Sequence, residues 1–335
     1  MRPHSHEYGC IRNFLAQRGG KDCHRDKAIH SPMNPSAPIS RRDFAKQSAL
    51  AAAALAYGVA PATAAPVNYW KIIAFSKPFD RLSPDDTADL VADVGWDGIE
   101  CAVRAKSGHI LPERVEEDLP KMVEALKKRG KTIEIVTTEI VKLDPLAEKI
   151  LRTMAKLGIK KYRFGFTKYT KDKPVADTVR EQGAALKDLA AFNAEAGVQG
   201  GWQNHSGADY VGAPIWDLWT MIRDLDPKHI GVCFDIGHAT LEGGLSWPIQ
   251  ARLMEPFYVA VYLKDFNWEK TPKGWQPLWC NFGEGSVQRS FLTNLKAGKF
   301  AGPLSQHHEY KTLGTGKEMI ANMRKDLAKL REWLA

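Results

Sequence analysis

From Tyr69 onward the chain alternates short apolar runs of strand length with longer stretches whose apolar positions recur every three to four residues. "YWKIIAFS" predicts a strand, and "SPDDTADLVADVG" after it opens on an N-cap at Ser83 and carries helical spacing. "DGIECAV" and "PERVEEDLPKMVEALKKRG" repeat the pair, with Gly130 behind a basic last turn as the helix stop. "TIEIVTT" with "LAEKILRTMAKLG", "KKYRFGF" with "VADTVREQGAALKDLAAFNAEAG", and "VQGGWQN" with "IWDLWTMIRDL" continue the series. "HIGVCFDIGH" precedes "SWPIQARLM", "YVAVYLKDF" precedes "SVQRSFLTNLKAG", and "PLSQHHEY" precedes the closing "GKEMIANMRKDLAKLREWL". Eight strand-then-helix units predict an α/β protein whose residues 66–335 form one (β/α)8 barrel domain. A doubly wound open sheet is the rival, but it needs fewer units and often a Gly-rich phosphate loop after its first strand, which "AFSKPFD" is not. No G-x-G-x-x-G or G-x-x-x-x-G-K-S/T occurs, which removes the nucleotide-binding readings.

The pattern before Tyr69 is different. "SRRDFAK" (Ser40–Lys46) leads into the Ala-rich "SALAAAALAYGVA" and then "PATAAP", with small residues at Ala62 and Ala64. Paired arginines, a short apolar run and an A-x-A site predict a twin-arginine export signal over residues 33–65. Export by the twin-arginine machinery implies a periplasmic or otherwise exported product. The apolar run is too short and too rich in alanine for a stable membrane span. Residues 1–32 fit no leader, whereas "MNPSAPISRRDF" begins at Met33. Translation is therefore expected to start at Met33, with residues 1–32 untranslated or outside the fold.

Charge changes the picture only after it is located. The whole chain carries 47 Lys and Arg against 39 Asp and Glu, a formal net charge of +8. Residues 1–65 hold 9 and 4 of these, leaving 38 and 35, or +3, for the barrel. That near-neutral remainder is no phosphate-backbone footprint, so no nucleic-acid partner is expected. Of five cysteines, Cys101, Cys233 and Cys280 fall in the barrel, an odd number at wide spacing. Neither a disulfide framework nor a Cys-ligated zinc follows from them.

Barrel enzymes build their sites at the C-terminal ends of the strands. Those ends carry Glu100, Glu139 just past the third strand, and Arg163 on the fourth. The fifth ends in Gln203, Asn204 and His205, the sixth in Asp235 with His238 three residues on. The seventh supplies Tyr262, Lys264 and Asp265, with Glu284 in the loop beyond, and the eighth His307 and Glu309. Any one of these can be a helix cap or loop anchor; Asp235 fits a cap, and Lys264 with Asp265 a structural ion pair. Carboxylates, imidazoles and amides on consecutive strand ends along one rim exceed what capping needs.

"GWQNHSG", "FDIGH", "YLKD", "GEG" and "HHEY", in this order and on these strands, resemble the sugar phosphate isomerase/epimerase family with its xylose isomerase-like TIM barrel. "DGIE" and "LSWP" agree, and the resemblance spans residues 68–333. It implies chemistry on a polyol, ketose or keto-sugar, commonly at one divalent metal such as manganese, magnesium or zinc. Carried over by position, the metal shell is Gln203, Asp235, Tyr262 and Glu309, and His238 falls where relatives place a substrate-contacting histidine. Asn204, His205, Asp265, Glu284, His307, Glu139 and Arg163 complete the expected substrate surroundings.

The chain departs from that pattern twice: Gln203 stands where Glu is usual, and Tyr262 where His precedes "LKD". Manganese and magnesium prefer anionic oxygen ligands, and only Asp235 and Glu309 remain anionic. Gln203 can ligate through its carbonyl, and His205 or His307 can add a nitrogen, so the metal stays open. An amide is no base, so a two-base epimerisation using Gln203 is excluded. One-base chemistry survives, with Glu309 or His238 taking a proton next to a carbonyl and a metal or Lys264 stabilising the enolate. An exported address favours a non-phosphorylated sugar or keto-glycoside. Trp268, Trp275 and Trp279 form either a sugar-stacking platform or the packing under a long loop; Trp202, inside its strand, belongs to the core. The readings are an exported isomerase or epimerase-type enzyme, a keto-glycoside lyase or hydrolase on the same site, and a carbohydrate-binding barrel without catalysis. A homo-oligomer stays open. A three-zinc, AP-endonuclease-like reading is disfavoured by charge, by the export signal and by missing His ligands.

Overall fold

Eight parallel strands close on themselves in the order β1, β10, β7, β6, β5, β4, β3, β2, the ring that eight strand-then-helix units predict. They run Ile72–Phe75 (β1), Gly98–Ala102 (β2), Thr132–Thr137 (β3), Lys161–Arg163 (β4), Gln199–Gln203 (β5), Ile230–Asp235 (β6), Tyr258–Leu263 (β7) and Leu304–Gln306 (β10). This computed structural model describes residues 70–335. The Met33 start and the export signal lie outside the described residues. Among those described, no helix is long and apolar enough to cross a membrane.

Helices follow where the apolar spacing turns from two to three or four. Ser83 caps α1 (Pro84–Val94), accepting from the Asp86 N–H at 3.2 Å. Gly130, with φ +67°, stops α2 (Val115–Lys128). Then come α3 (Pro145–Lys156), α4 (Val175–Ala196), α5 (Trp216–Ile222) and, after Asp235 with no linker, α6 (Ile236–Gly243). The sequence pattern had not separated this helix from the strand. Finally α7 (Trp247–Met254), α8 (Ser290–Ala297) and α9 (Gly316–Leu334) complete the outer layer.

The strand period of two divides the core in two. Outward residues such as Tyr162, Trp202, Phe234 and Leu263 pack under the helices. Ile73, Ile135, Cys233, Val259, Ala260 and Tyr262 fill the barrel interior as a separate apolar cluster. The space there is tight: a Cβ on Gly201 would meet the Cys233 sulfur at 2.5 Å. That contact explains the glycine in "QGGWQN", where a strand otherwise prefers a branched side chain.

The segment expected as a loop around Trp268 and Trp275 is an antiparallel hairpin, β8 (Asp265–Thr271) with β9 (Gly274–Cys280). Phe266 pairs with Trp279, Trp268 with Pro277 and Lys270 with Trp275, which sets these rings on one face. Trp268 is 50% exposed and Trp275 62%, so neither packs beneath a loop. Cys101, Cys233 and Cys280 are free thiols.

His308 and Asp326 meet where α9 closes over the end of β10, with His308 Nε2 3.6 Å from Asp326 Oδ2 and both side chains buried. Burial holds the His308 imidazole down at about 3 and lifts the Asp326 carboxyl to about 6. Asp326 keeps three donors, Asn281 at 2.7 Å, the Tyr310 hydroxyl at 2.9 Å and the Phe282 N–H at 3.1 Å. An unfolded histidine takes a proton below about 6.5, so the stability held by neutral His308 is full above that pH and lost as pH falls toward 3. Asp326 works in the opposite sense between about 6 and 3.8. His308→Gln is therefore expected to lower the slope of unfolding free energy against pH by about 1.4 kcal/mol per unit at most between pH 4 and 6. Urea unfolding across that range checks it, and an unchanged slope overturns the assignment.

Candidate active site

Along each strand the residues that alternate inward turn polar in the last turn before the rim. Glu100, Thr137, Arg163, Gln203, Asp235 and Ser305 point into one buried ring, and Lys264 and His307 extend it just past their strands. Register sets the neighbours: Arg163 lies opposite Thr137, and Asp235 and Ser305 both lie opposite Tyr262.

Lys264 is the centre of this ring. Its ammonium lies 3.2 Å from Glu309 Oε2 and 3.4 Å from Asp235 Oδ2, with the Trp279 ring centroid at 4.9 Å. Burial disfavours its charge, but the two carboxylates outweigh that and raise its pKa. Asp235 also accepts the His238 N–H at 3.1 Å and Gln203 Nε2 at 2.8 Å, so it is at once a helix cap and a ring member. Gln203 turns its carbonyl to the Arg163 guanidinium. One amide thus satisfies a cation on one side and a carboxylate on the other.

A second ion pair lies beside it. His307 Nε2 is 3.0 Å from Glu100 Oε2, which also accepts from Ser305 Oγ at 2.7 Å, while Thr137 Oγ1 donates to the other oxygen. Burial alone would raise Glu100, yet His307, Arg163 and Thr137 hold it at about 2. Burial likewise opposes the charge on His307, and Glu100 and Glu309 raise it. Glu309 differs from the other carboxylates in being reachable, with its side chain 24% exposed. Lys77, which opens a short 3-10 helix after β1, reaches its other oxygen at 2.5 Å. Burial pushes its pKa up, but Lys264, His307 and Lys77 outweigh that and hold it well below the ordinary range, so Glu309 is ionised at neutral pH. It sits where two clefts of about 520 and 560 Å³ meet the rim, one beside Lys77 and one beside the hairpin.

The histidines across the mouth are neutral. Burial and then Lys264 hold His238 well below 6.5 and His205 at about 4. Ser206 Oγ lies 2.7 Å from His238 Nδ1, and His238 Nε2, 3.7 Å from Asp235 Oδ2, has no hydrogen-bond partner among the described residues. The His205 and His238 ring centroids lie 4.1 Å apart at a tilt of 41°, and Trp279 meets His238 edge to face at 5.0 Å.

Several expected substrate contacts are placed differently. Asn204 clamps the backbone of Asp235, accepting its N–H at 2.8 Å and donating to its C=O at 3.0 Å. Asp265 does not pair with Lys264: it accepts the N–H groups of Phe266, Gly283, Gly285 and Val287 at 2.8–3.0 Å and ties the hairpin to the "GEG" loop. Glu284 pairs with Lys325 of α9 at 2.5 Å. Glu139 is exposed and holds the Ala105 N–H at 2.9 Å. His307 and Arg163 are buried inside the ring, where each serves a neighbouring side chain. Tyr262 lies in the interior cluster beside the Cys233 thiol, and burial raises its phenol well above 10. Lys77, Thr137 and Ser305 were not singled out from the sequence. Thr137 and Ser305 occupy inward positions that a period-two count reaches, but Lys77 lies beyond its strand with no such signal.

A model of the xylose isomerase-like TIM barrel matches residues 88–334. The chain belongs to that family. Among solved structures it is similar to a xylose isomerase domain protein from Planctomyces limnophilus, at 18% identity and TM-score 0.57 over 79% of this chain and 96% of that one. It is also similar to 3-keto-D-glucoside 4-epimerase from E. coli, at 15% identity and TM-score 0.61 over 79% and 100%. A family protein from Mycobacterium smegmatis, solved in complex with magnesium, matches at 16% identity and TM-score 0.60 over 81% and 100%. No curated protein sequence matches the chain.

The donors here do not fit the divalent ion that the family resemblance implies. The Gln203 oxygen is taken by Arg163, Tyr262 is a neutral phenol in the barrel interior, and Lys264 touches both Asp235 and Glu309. His307 Nε2 is committed to Glu100, and its Nδ1 lies 3.6 Å from Glu309 Oε2. Among the described residues no group of three or more His, Cys, Asp or Glu side chains is disposed to hold a metal.

The Glu100–His307 pair tests the ring as a structural unit. Glu100→Gln removes the buried carboxylate that His307, Ser305 and Thr137 share and is expected to cost about 3–5 kcal/mol. Glu100→Gln with His307→Gln is expected to cost less than Glu100→Gln alone, as read from urea unfolding of the two variants. A double variant weaker than the single one overturns the pairing.

Proposed function

We propose that this chain is an isomerase or epimerase-type enzyme that moves a proton next to the carbonyl of a non-phosphorylated sugar or keto-glycoside. The observation that carries this reading is Glu309, an ionised and partly exposed carboxylate at the barrel mouth, 3.2 Å from a buried ammonium. A base beside a fixed cation is what enolisation needs. The C–H bond breaks, its proton passes to a Glu309 oxygen, and the electron pair moves to the carbonyl oxygen as the enolate forms. Positive charge placed there in advance costs no reorganisation as the oxyanion develops. Neutral His238, with Nε2 unpartnered, is suited to hold or relay a hydroxyl proton. Return of the proton from Glu309 to the neighbouring carbon completes an isomerisation; loss of a β-substituent instead gives elimination.

The low basicity of Glu309 suits a substrate whose α-proton is already acidified by a polarised ketone. The aromatic face from Trp279 at the centre to exposed Trp268 and Trp275 supports a carbohydrate ligand, since sugar rings stack on such faces. The twin-arginine segment supports export, and with it a substrate without phosphate.

Solvent deuterium incorporation tests the reading. Non-phosphorylated ketoses and 3-keto-glycosides in D2O are expected to gain deuterium next to the carbonyl with the native enzyme. Glu309→Gln is expected to slow that exchange by about 10²–10⁴-fold. Exchange at the native rate in the variant removes Glu309 as base. No exchange with any of these sugars, while binding persists, leaves the carbohydrate-binding barrel.

A further inference from the structure

We propose that the Lys264 ammonium takes the place of the divalent cation, so that the electrophile of this site is part of the chain and the site does not take up a metal. The inference deepens the proposed reaction by naming what polarises the carbonyl.

Three features of the ring point the same way. First, position: Lys264 is two residues beyond Tyr262, so on the strand period it projects from the same side of β7, one layer nearer the mouth. Its four-carbon stem brings the charge between Asp235 and Glu309, the two anionic members of the metal shell implied by the resemblance. With Gln203 and Tyr262 in place of an anionic and an imidazole donor, a second cation in that space would meet the first with no added ligand to offset their repulsion.

Second, the two departures remove the other inducements for a metal. A glutamate at 203 would set a third carboxylate against Asp235, whose Oδ2 is 2.8 Å from the Gln203 nitrogen. Glutamine turns that contact into a hydrogen bond, and its oxygen is spent on Arg163. Tyr262 gives a phenol buried against Cys233 where an imidazole would offer a nitrogen.

Third, donor capacity: an ammonium has three N–H groups, and the two carboxylates account for two. One remains for a substrate oxygen. The other ring cations are less suited, because Arg163 is locked on Gln203 and Lys77 is 40% exposed beyond β1.

The test reads metal rather than turnover, so it stands apart from the identity of the sugar. Full-length protein is titrated with Mn²⁺ while the free-ion electron paramagnetic resonance signal and the melting temperature are followed. The native chain is expected to leave the signal undiminished and its melting temperature indifferent to Mn²⁺ or chelator. Gln203→Glu with Lys264→Met, which restores a carboxylate and removes the ammonium, is expected to quench the signal near one equivalent and to melt higher with Mn²⁺. Lys264→Met alone carries the same expectation with weaker binding and serves if the double variant does not fold. Stoichiometric Mn²⁺ uptake by the native chain overturns the proposal. So does a folded Lys264→Met variant, with or without Gln203→Glu, that is as blind to Mn²⁺ as the native chain. An absence of sugar exchange alongside the expected metal results overturns the proposed reaction and leaves this inference standing.

Discussion

The contact on which the ring depends is the sharing of one buried ammonium between Asp235 and Glu309. Withdrawing such charges from water costs several kcal/mol each, recovered only where every charge finds a partner and its spare lone pairs find donors. The ring meets these conditions at its carboxylates, while Arg163 Nε and His307 Nδ1 have no hydrogen-bond partner among the described residues. Glu100, Asp235 and Glu309 face Lys264, Arg163 and Lys77, and the His307 imidazole lies between Glu100 and Glu309. Hydroxyls from Thr137 and Ser305 and the Gln203 amide occupy the remaining acceptor sites. No member can be altered without stranding another. The ring is therefore rigid where it is buried, and Glu309, at its exposed edge, is the member that a ligand can reach.

That rigidity is produced by the barrel. A period of two sends alternate residues inward, and the strand ends bring Arg163, Gln203, Asp235 and Lys264 into contact with one another. Below these contacts the interior is apolar and tight, with Gly201 yielding space to Cys233. Above them, the hairpin of β8 and β9 is anchored by Asp265 through four backbone N–H groups, and it lays Trp279 against Lys264 and His238. The site is thus closed beneath by packing and at one side by an indole. This lowers the local dielectric in which a developing oxyanion and the ammonium would interact.

What could be read from the sequence follows from what is local. The eight-unit alternation, the Ser83 cap and the Gly130 stop are local patterns, and the fold agrees with each. The ring positions were legible too, because strand ends can be counted. Partner choice was not. Asn204 and Asp265 look in the sequence like any strand-end polar residue, yet their capacity is spent on backbone groups many residues away in the chain. Glu284 is drawn outward by Lys325, forty-one positions on. Lys77 enters the site from a connection whose sequence shows only that it binds no phosphate in the Gly-rich manner. The hairpin escaped because exposed tryptophans and a Pro interrupt the alternation that marks a half-buried strand.

The departures at 203 and 262 make physical sense as a pair when charge is followed through the ring. With glutamate at 203, Asp235 and Glu309 would share a small volume with a third carboxylate, and a divalent cation is one way to hold three such groups together. With glutamine there, one negative charge is gone, and a single ammonium shared by the remaining two carboxylates, with Lys77 at the rim, is enough. An imidazole at 262 would offer a nitrogen with no metal to receive it. A neutral phenol against Cys233 extends the apolar floor instead. Both changes remove donors that a divalent ion would use and leave the side-chain ammonium as the cation shared by Asp235 and Glu309. Arg163 then acquires a reason to be buried, since the carbonyl that it holds is the one a metal would otherwise have used.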